Sequence, residues 1–505
     1  MRSEPDPQGK GIDVIATLGS AKHRDRFALQ DEARALTYGD LDRAVSDTCD
    51  ALRASDVRTG HRVVVVGSNC AETVVLFLAI ARLGAWSVMA SDRLAAVEVE
   101  AIVAHCSPRL IVDASADRAA RGLQRSSRLR VGALGDVRVE HRTQDCEPEP
   151  DTAGVAALLY TSGSTGAPKA VMLSHANLLH VARAQAIARR YAPGDRVYCA
   201  LPISHAGGLA SITLGTLAGG GCLHLAHRFD AAVLERALRD DAITVLPGVP
   251  ALHLKFADWL RASQRKLHAP ALRMVTTASS PLQSGVKASA EALYGLPLQN
   301  GYGLTETTAL VCQTRLGAPL PDTSVGAPFP GVRVRLATAS GAAAPEGEVG
   351  EVHVQGPNLF QGYYRNEPAT RAAFTADGWF ATGDLARADA DGRLFIVGRS
   401  KDMIKHSSFS VYPIEVESAL QAHPAVVSCC VVGRACAADE DVVAFVELRD
   451  GASDSPEALR SFAAARLAPY KRPAAIHVLR QLPTLHNGKV DKAALRRMAG
   501  ELRAS

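Results

Sequence analysis

The amino-acid sequence predicts an α/β protein with a large N-terminal domain, built from two α/β layers plus a β-rich subdomain, and a small α+β C-terminal domain. Three observations lead there. At 505 residues the chain exceeds what one ordinary core can organise. Strand-like runs of Val, Ile and Leu alternate with amphipathic helical stretches, the pattern of parallel α/β layers. That alternation gives way to short strands with glycine turns between residues 332 and 354, then returns after residue 402.

In chain order, residues 62–67 read as a strand and 71–83 as the helix after it; 110–112 is another strand, ahead of a charged segment. Residues 113–152 are polar, contain proline and end in Glu147-Pro148-Glu149-Pro150, so they read as a surface excursion. A second α/β stretch runs from 171 to about 309, with 244–246 a buried strand ended by Pro247-Gly248. The β-rich stretch comes next, and helices near 414–422 and 456–467 mark the C-terminal domain. No internal repeat or long low-complexity segment interrupts this plan.

Fifty-six basic and 52 acidic residues leave a net charge of +4, without a dense basic patch interleaved with aromatics, which argues against nucleic acid as a partner. Ten cysteines are scattered without C-x-x-C spacing and fit reduced thiols in a cytosol. Apolar runs such as 74–81 are far too short to span a bilayer, and Met1-Arg2-Ser3-Glu4-Pro5-Asp6-Pro7 lacks the apolar stretch of a signal peptide. The expectation is a cytoplasmic protein with no integral membrane segment; peripheral membrane contact stays open.

The most informative segment comes directly after the apolar run 155–159: Tyr160-Thr161-Ser162-Gly163-Ser164-Thr165-Gly166-Ala167-Pro168-Lys169. Glycines let backbone N–H groups approach an anion, hydroxyls donate further hydrogen bonds, and Lys169 adds a mobile positive charge, so the loop reads as a triphosphate cradle. It is not G-x-x-x-x-G-K-[ST], because Lys169 follows Ala-Pro and precedes no Ser or Thr. Taken alone, it could also be an ordinary Gly/Ser turn. Asn300-Gly301-Tyr302-Gly303-Leu304-Thr305-Glu306-Thr307 places an aromatic ring, two glycines, hydroxyls and a carboxylate within eight residues, enough to serve both nucleotide and metal.

Together with Asp377-Gly378-Trp379-Phe380-Ala381-Thr382-Gly383-Asp384, Gly398-Arg399-Ser400-Lys401-Asp402 and Pro483-Thr484-Leu485-His486-Asn487-Gly488-Lys489, these motifs resemble the adenylate-forming enzymes: acyl-CoA synthetases, luciferases and peptide synthetase adenylation domains. The style is closest to fatty-acyl or aryl carboxylate–CoA ligases. The motifs keep the family's order from residue 160 to 489. The resemblance implies ATP, Mg²⁺ and CoA, or a carrier protein's phosphopantetheine arm, as cofactors. It implies Thr161 to Gly166 and Lys169 on the phosphates, Tyr302 stacked on adenine, Thr305 on the α-phosphate and Glu306 on Mg²⁺, a hard cation that prefers oxygen. Asp384 would accept from the ribose hydroxyls, and Arg399 would reach ribose or phosphate with its fixed fork of donors.

The family also implies a hinge at Lys401, dividing residues 1–398 from a mobile domain at 403–505, with 399–402 between them. Lys489 would be the catalytic lysine. Attack of a carboxylate on the α-phosphate brings negative charge together, and a cation placed there favours the transition state over the ground state. Leu201-Pro202-Ile203-Ser204-His205-Ala206-Gly207-Gly208 resembles the stretch whose histidine borders the acyl pocket and gates the thiol's entry, although His205 can also be read as a core histidine. Thr277-Ala278-Ser279-Ser280-Pro281-Leu282 aligns with a usual G-G-A-P-L, its serines small but without glycine's backbone freedom.

By the same resemblance the acyl pocket is lined by Ala206, Gly207, Ala278, Gly301, Gly303, Thr308 and Ala309, small residues that leave room for an extended chain or a ring. Asp230 reads as structural in preference to an amino-group ligand. On the thiol side, His406-Ser407-Ser408-Phe409 replaces the usual Gly-Gly-aromatic and 433–446 lacks a frequent Trp-Gly, whereas Tyr470-Lys471-Arg472-Pro473 matches the Y-K-x-P element. Ser408, Tyr470 and Arg472 are therefore the expected thiol contacts. The activity implied is ATP-dependent formation of an acyl-adenylate from a small carboxylic acid, then transfer to a thiol, CoA ahead of an acyl carrier protein. A catalytically silent binding protein is the remote alternative. A homodimer is compatible with the sequence without being specified by it.

Overall fold

The computed structural model describes residues 11–12, 14–115, 126–142, 146–150, 154–161, 169–338, 340–406, 409–436, 439–449, 451–484 and 490–502. Among them, a seven-stranded sheet has a parallel centre, Leu110–Ala114, Arg62–Gly67, Trp86–Ser91 and Val155–Thr161 side by side. Arg62–Gly67 is buried throughout, as a strand covered on both faces must be. Val155–Thr161 runs out of this centre and returns antiparallel as Lys169–Ser174, with Thr161 registered opposite Lys169. The two ends of the predicted phosphate loop are thus clamped together at the carboxyl end of a parallel strand, where open α/β sheets bind ligands.

The predicted excursion at 113–152 is partly sheet. Ser126–Arg130 and Asp136–His141 extend the seven-stranded sheet antiparallel, and Val137 and Val139 are buried between charged neighbours. The alternation Val-Arg-Val-Glu carries that strand signal inside a polar stretch. Glu147, further along the excursion, is tied to the sheet through its backbone: buried Arg62 donates to the carbonyls of Gly60, Cys106, Ser107 and Glu147.

A nine-stranded sheet has a parallel run of Leu298–Tyr302, Met274–Thr277, Val245–Gly248, Arg196–Cys199, Cys222–Leu225 and Phe27–Gln30. The strand is Val245–Gly248, shifted from 244–246, so Pro247 and Gly248 belong to it and it stops at Gly248. Arg196–Cys199 pairs with that strand only at Val245, so the missing N–H of Pro247 removes no ladder bond on that side. Arg333–Ala337, Gly350–Gln355, Phe380–Ala388 and Leu394–Arg399 form an antiparallel four-stranded sheet.

The C-terminal domain stacks Val426–Cys436, Asp439–Leu448 and Ala475–Leu479 with the helices Pro413–Gln421, Pro456–Ala464 and Lys492–Glu501. It buries two hydrophobic clusters of its own, separate from the large domain's main core. Arg449 reaches Asp258 of the large domain at 2.7 Å. No helix among the described residues is long and apolar enough to cross a membrane.

Candidate active site

The carboxyl ends of neighbouring parallel strands deliver most of the predicted residues to one place: Ala278 follows Met274–Thr277, Gly301 and Tyr302 close Leu298–Tyr302, and the 201–208 segment follows Arg196–Cys199. Tyr302 donates its hydroxyl to Asp384 Oδ2 at 2.8 Å, and Arg399 donates Nε to Asp384 Oδ1 at 2.6 Å. Asp384 and Arg399 are direct cross-strand partners, which sets their spacing, and Asp384 is 5% exposed. Burial, with the Asp384 charge adjacent, holds the Tyr302 phenol well above its usual pKa, so it stays a donor. The turn before Asp384 is held by Glu351, whose carboxylate accepts from the N–H of Gly383.

A second constellation surrounds Glu306. Its Oε1 accepts from the Tyr363 hydroxyl at 2.9 Å, and the Lys169 ammonium stands 4.8 Å from the centre of the same tyrosine's ring. Residues 360–364 lie along the strand that begins at Lys169: Gln361 donates to Met172, Met172 to Gly362 and Tyr364 to Ala170. Phe360 N–H bonds the carbonyl of Glu306 itself. Gly362 is required in this seam, because φ is +128° and a Cβ would lie 2.9 Å from Thr370.

Thr305 opens the 3₁₀ turn Thr305–Thr307, and Thr308 and Ala309 follow in the left-handed region at φ +52° and +65°. Gly303 lies against Ala309 so closely that a Cβ would sit 2.4 Å from its carbonyl carbon. Thr308 is fully buried and gives its hydroxyl to the Asn358 carbonyl, whereas Ala309 and Gly301 are partly exposed. Ser279 adopts φ +71° at the surface, the conformation glycine would take without strain, and Ser280 beside it is exposed. His205 begins the helical stretch whose middle, Gly207–Leu214, is π-helical, and its carbonyl accepts from Leu209. Ala206 is buried at the start of that stretch; a Cβ on Gly207 would reach Ser279 Oγ at 4.0 Å, so the two segments face one another. Asp230 caps the helix Ala231–Asp240 by accepting from Val233 N–H, the structural role expected of it.

In the C-terminal domain, Tyr470 stacks on Phe409 with ring centres 4.3 Å apart, and Phe409 is 52% exposed. Arg472 is exposed and donates to the Leu467 carbonyl. Lys401 is exposed in the 3₁₀ turn Ser400–Asp402. Next to it, Asp402 pairs with Lys492 at 3.1 Å and Arg496 at 2.6 Å. Burial would raise the Asp402 pKa, yet these two cations hold it below the usual carboxylate range. Ser162, Gly163, Ser164, Thr165, Gly166, Ser408 and Lys489 lie outside the described residues. The loop carrying Lys489 is nevertheless closed at its base by a bridge between Thr484 and Val490.

Sequence reasoning missed Tyr363, Glu351 and Asp402. Gly362-Tyr363-Tyr364 reads locally as a turn with two core aromatics, and nothing in its spacing points at residue 306.

The fold and the grouped phosphate-loop lysine, carboxylates and arginine define a two-domain, nucleotide-using enzyme. The AMP-binding enzyme family matches residues 18–364, and the AMP-binding enzyme C-terminal domain matches residues 415–489. A feruloyl-CoA synthase from Amycolatopsis sp is 33% identical over 481 residues, covering 94% of this chain and 96% of that protein. A sulfoacetate–CoA ligase from Cupriavidus necator is 31% identical, covering 98% and 99%. Among solved structures, ATP-bound MatB from Rhodopseudomonas palustris superposes with a TM-score of 0.84 at 27% identity, covering 97% and 99%. A benzoate CoA ligase from Burkholderia xenovorans also reaches a TM-score of 0.84, at 25% identity, covering 96% and 100%. The chain belongs to the AMP-binding enzyme family. Its activity is that of an AMP-forming acid–thiol ligase, which uses ATP to activate a carboxylic acid as an acyl-adenylate before thiol transfer.

Proposed function

We propose that this enzyme activates a flat aryl carboxylate and passes the acyl group to the thiol of CoA, from the cytoplasm. The observation that carries the reading is the convergence of Lys169, Glu306, Tyr302, Asp384 and Arg399, far apart in sequence, around the carboxyl ends of parallel strands. In this reading Asp384, braced by Tyr302 and Arg399, accepts from the ribose hydroxyls, Tyr302 presents its ring to adenine, and Thr305 and the 161–169 loop take the phosphates. Glu306 suits Mg²⁺, which keeps its waters and phosphate oxygens and needs few protein ligands; among the described residues no cluster of three or more His, Cys, Asp or Glu forms an all-protein cage. When bound, the ion supplies neutralisation of phosphate charge.

The acid's oxygen attacks the α-phosphorus as the bond to pyrophosphate breaks, with Lys489 between the two anions. The C-terminal domain, residues 403–505, then turns about 399–402. The thiol gives up its proton, its sulfur attacks the acyl carbon, and the bond to AMP breaks. In this reading His205 borders the path of the thiol, and Ser408, Tyr470 and Arg472 are its contacts in the C-terminal domain.

The aryl preference draws on the small residues that adjoin one another here: a Cβ on Gly207 would lie 4.0 Å from Ser279 Oγ, and one on Gly301 would lie 3.9 Å from that of Ala278. Small side chains at these positions suit a planar ring, and the resemblance to a feruloyl-CoA synthase supports the same reading. The test is a carboxylate panel read by pyrophosphate release, with free CoA and a holo carrier protein as acceptors read by mass spectrometry. Aryl and arylpropenoic acids with CoA are expected to lead; a long-chain fatty acid as best substrate would overturn the aryl reading. Loading of the carrier protein alone would favour phosphopantetheine, an acceptor suggested by the Ser407-Ser408 replacement.

A further inference from the structure

We propose that Tyr363 is a positioning residue that sets the phosphate-binding cation Lys169 and the metal-binding carboxylate Glu306 at a common spacing before the nucleotide arrives. The proposal rests on the reading of Glu306 as the Mg²⁺ ligand. Tyr363 touches both partners by different chemistry. Its hydroxyl donates to Glu306 Oε1 at 2.9 Å, holding the carboxylate in one orientation, while its ring face takes the Lys169 ammonium at 4.8 Å.

The tyrosine itself has little freedom. It is 8% exposed, its ring meets Phe360 edge-on at 5.0 Å, and its N–H bonds Thr370 Oγ1 at 2.9 Å. Its backbone pairs with Val171, two residues from Lys169, and the adjoining Phe360 N–H is bonded to Glu306. A single rigid segment therefore couples the strand leaving the phosphate loop to the turn carrying the carboxylate. Triphosphate and metal meet a pair of charges whose separation does not have to be found during binding, which lowers the ordering cost of association.

The hydroxyl and the ring are separable by substitution. Isothermal titration of the acid-free enzyme with Mg²⁺·ATP, and with ATP in EDTA, distinguishes them without turnover. Tyr363→Phe removes only the bond to Glu306; it is expected to raise the Kd for Mg²⁺·ATP about tenfold and leave ATP–EDTA binding unchanged. Tyr363→Leu also removes the ring, and is expected to weaken ATP–EDTA binding by about threefold. If the leucine variant does not fold, the phenylalanine variant decides alone. Parental Mg²⁺·ATP affinity in Tyr363→Phe would overturn the proposal, provided Glu306→Gln is weakened in the same assay. Parental affinity in Glu306→Gln would instead overturn the Mg²⁺ reading on which the proposal stands.

Discussion

The proposed nucleotide side in the large domain and the proposed thiol side in the C-terminal domain are built differently. In the large domain the two carboxylates are held by part-buried hydrogen bonds reaching far along the chain, Tyr302 to Asp384 across 82 residues and Tyr363 to Glu306 across 57. In the C-terminal domain the expected thiol contacts also join distant residues but stand nearer the surface: Phe409 is half exposed against Tyr470, Lys471 pairs with a partly exposed Glu415, and Arg472 bonds only a nearby carbonyl among the described residues. A ligand retained through the chemistry rewards a pre-organised, buried grip. A ligand that arrives second, after a domain rotation, rewards an accessible surface.

The largest expected effect breaks that division at its moving part. Lys489→Ala should depress acyl-AMP formation by roughly 10²–10³-fold and leave thioester formation from supplied acyl-AMP largely intact; equal loss of both half-reactions, measured separately, would count against the division of labour.

Acid sensitivity should arise in the large domain. His253 is buried, with Nδ1 on the Tyr294 hydroxyl and Nε2 on the Thr276 carbonyl, and burial takes its pKa from 6.5 down to about 4. The unfolded chain therefore binds the extra proton between these values, so the contribution is whole above pH 6.5 and fades as the pH falls towards 4. The loss is roughly 3 kcal/mol. Denaturation followed against pH should show a flatter acid limb for His253→Gln; an unchanged slope would contradict the assignment.

Smaller effects should appear on the thiol side alone. Lys401→Pro should spare pyrophosphate release and slow thioester formation about tenfold or more, because proline locks φ at the hinge; unchanged overall turnover would argue against rotation there. Phe409→Ala should raise the KM for CoA by about two- to tenfold, the worth of one aromatic stack, with the ATP KM unmoved. A shift in the ATP KM would show that the two sides are less separate than their construction suggests.

Legibility in the sequence differs between the same two sides. Tyr302, Glu306, Asp384 and Arg399 could be singled out because each lies in a motif that concentrates polar and aromatic groups within a few residues, and the structure groups Tyr302 with Asp384 and Arg399 and Glu306 with Tyr363. Ser279 carried a further clue, since a serine at a glycine position stands at φ +71°. The strands at 126–130 and 136–141 were hidden by their polar setting, and Pro247 by its usual role as a strand breaker. Tyr363 and Asp402 were not legible, because their partners lie at distant positions that no local pattern names.

By itself the sequence determined the parallel α/β plan, the two-domain division and the residue types available for binding a nucleotide, since periodicity and turn chemistry act over short stretches. Only the tertiary structure decided which of those residues hold one another. Tyr302 with Asp384 and Arg399, and Tyr363 between Lys169 and Glu306, become neighbours through sheet register and packing, and those are properties of the folded chain as a whole.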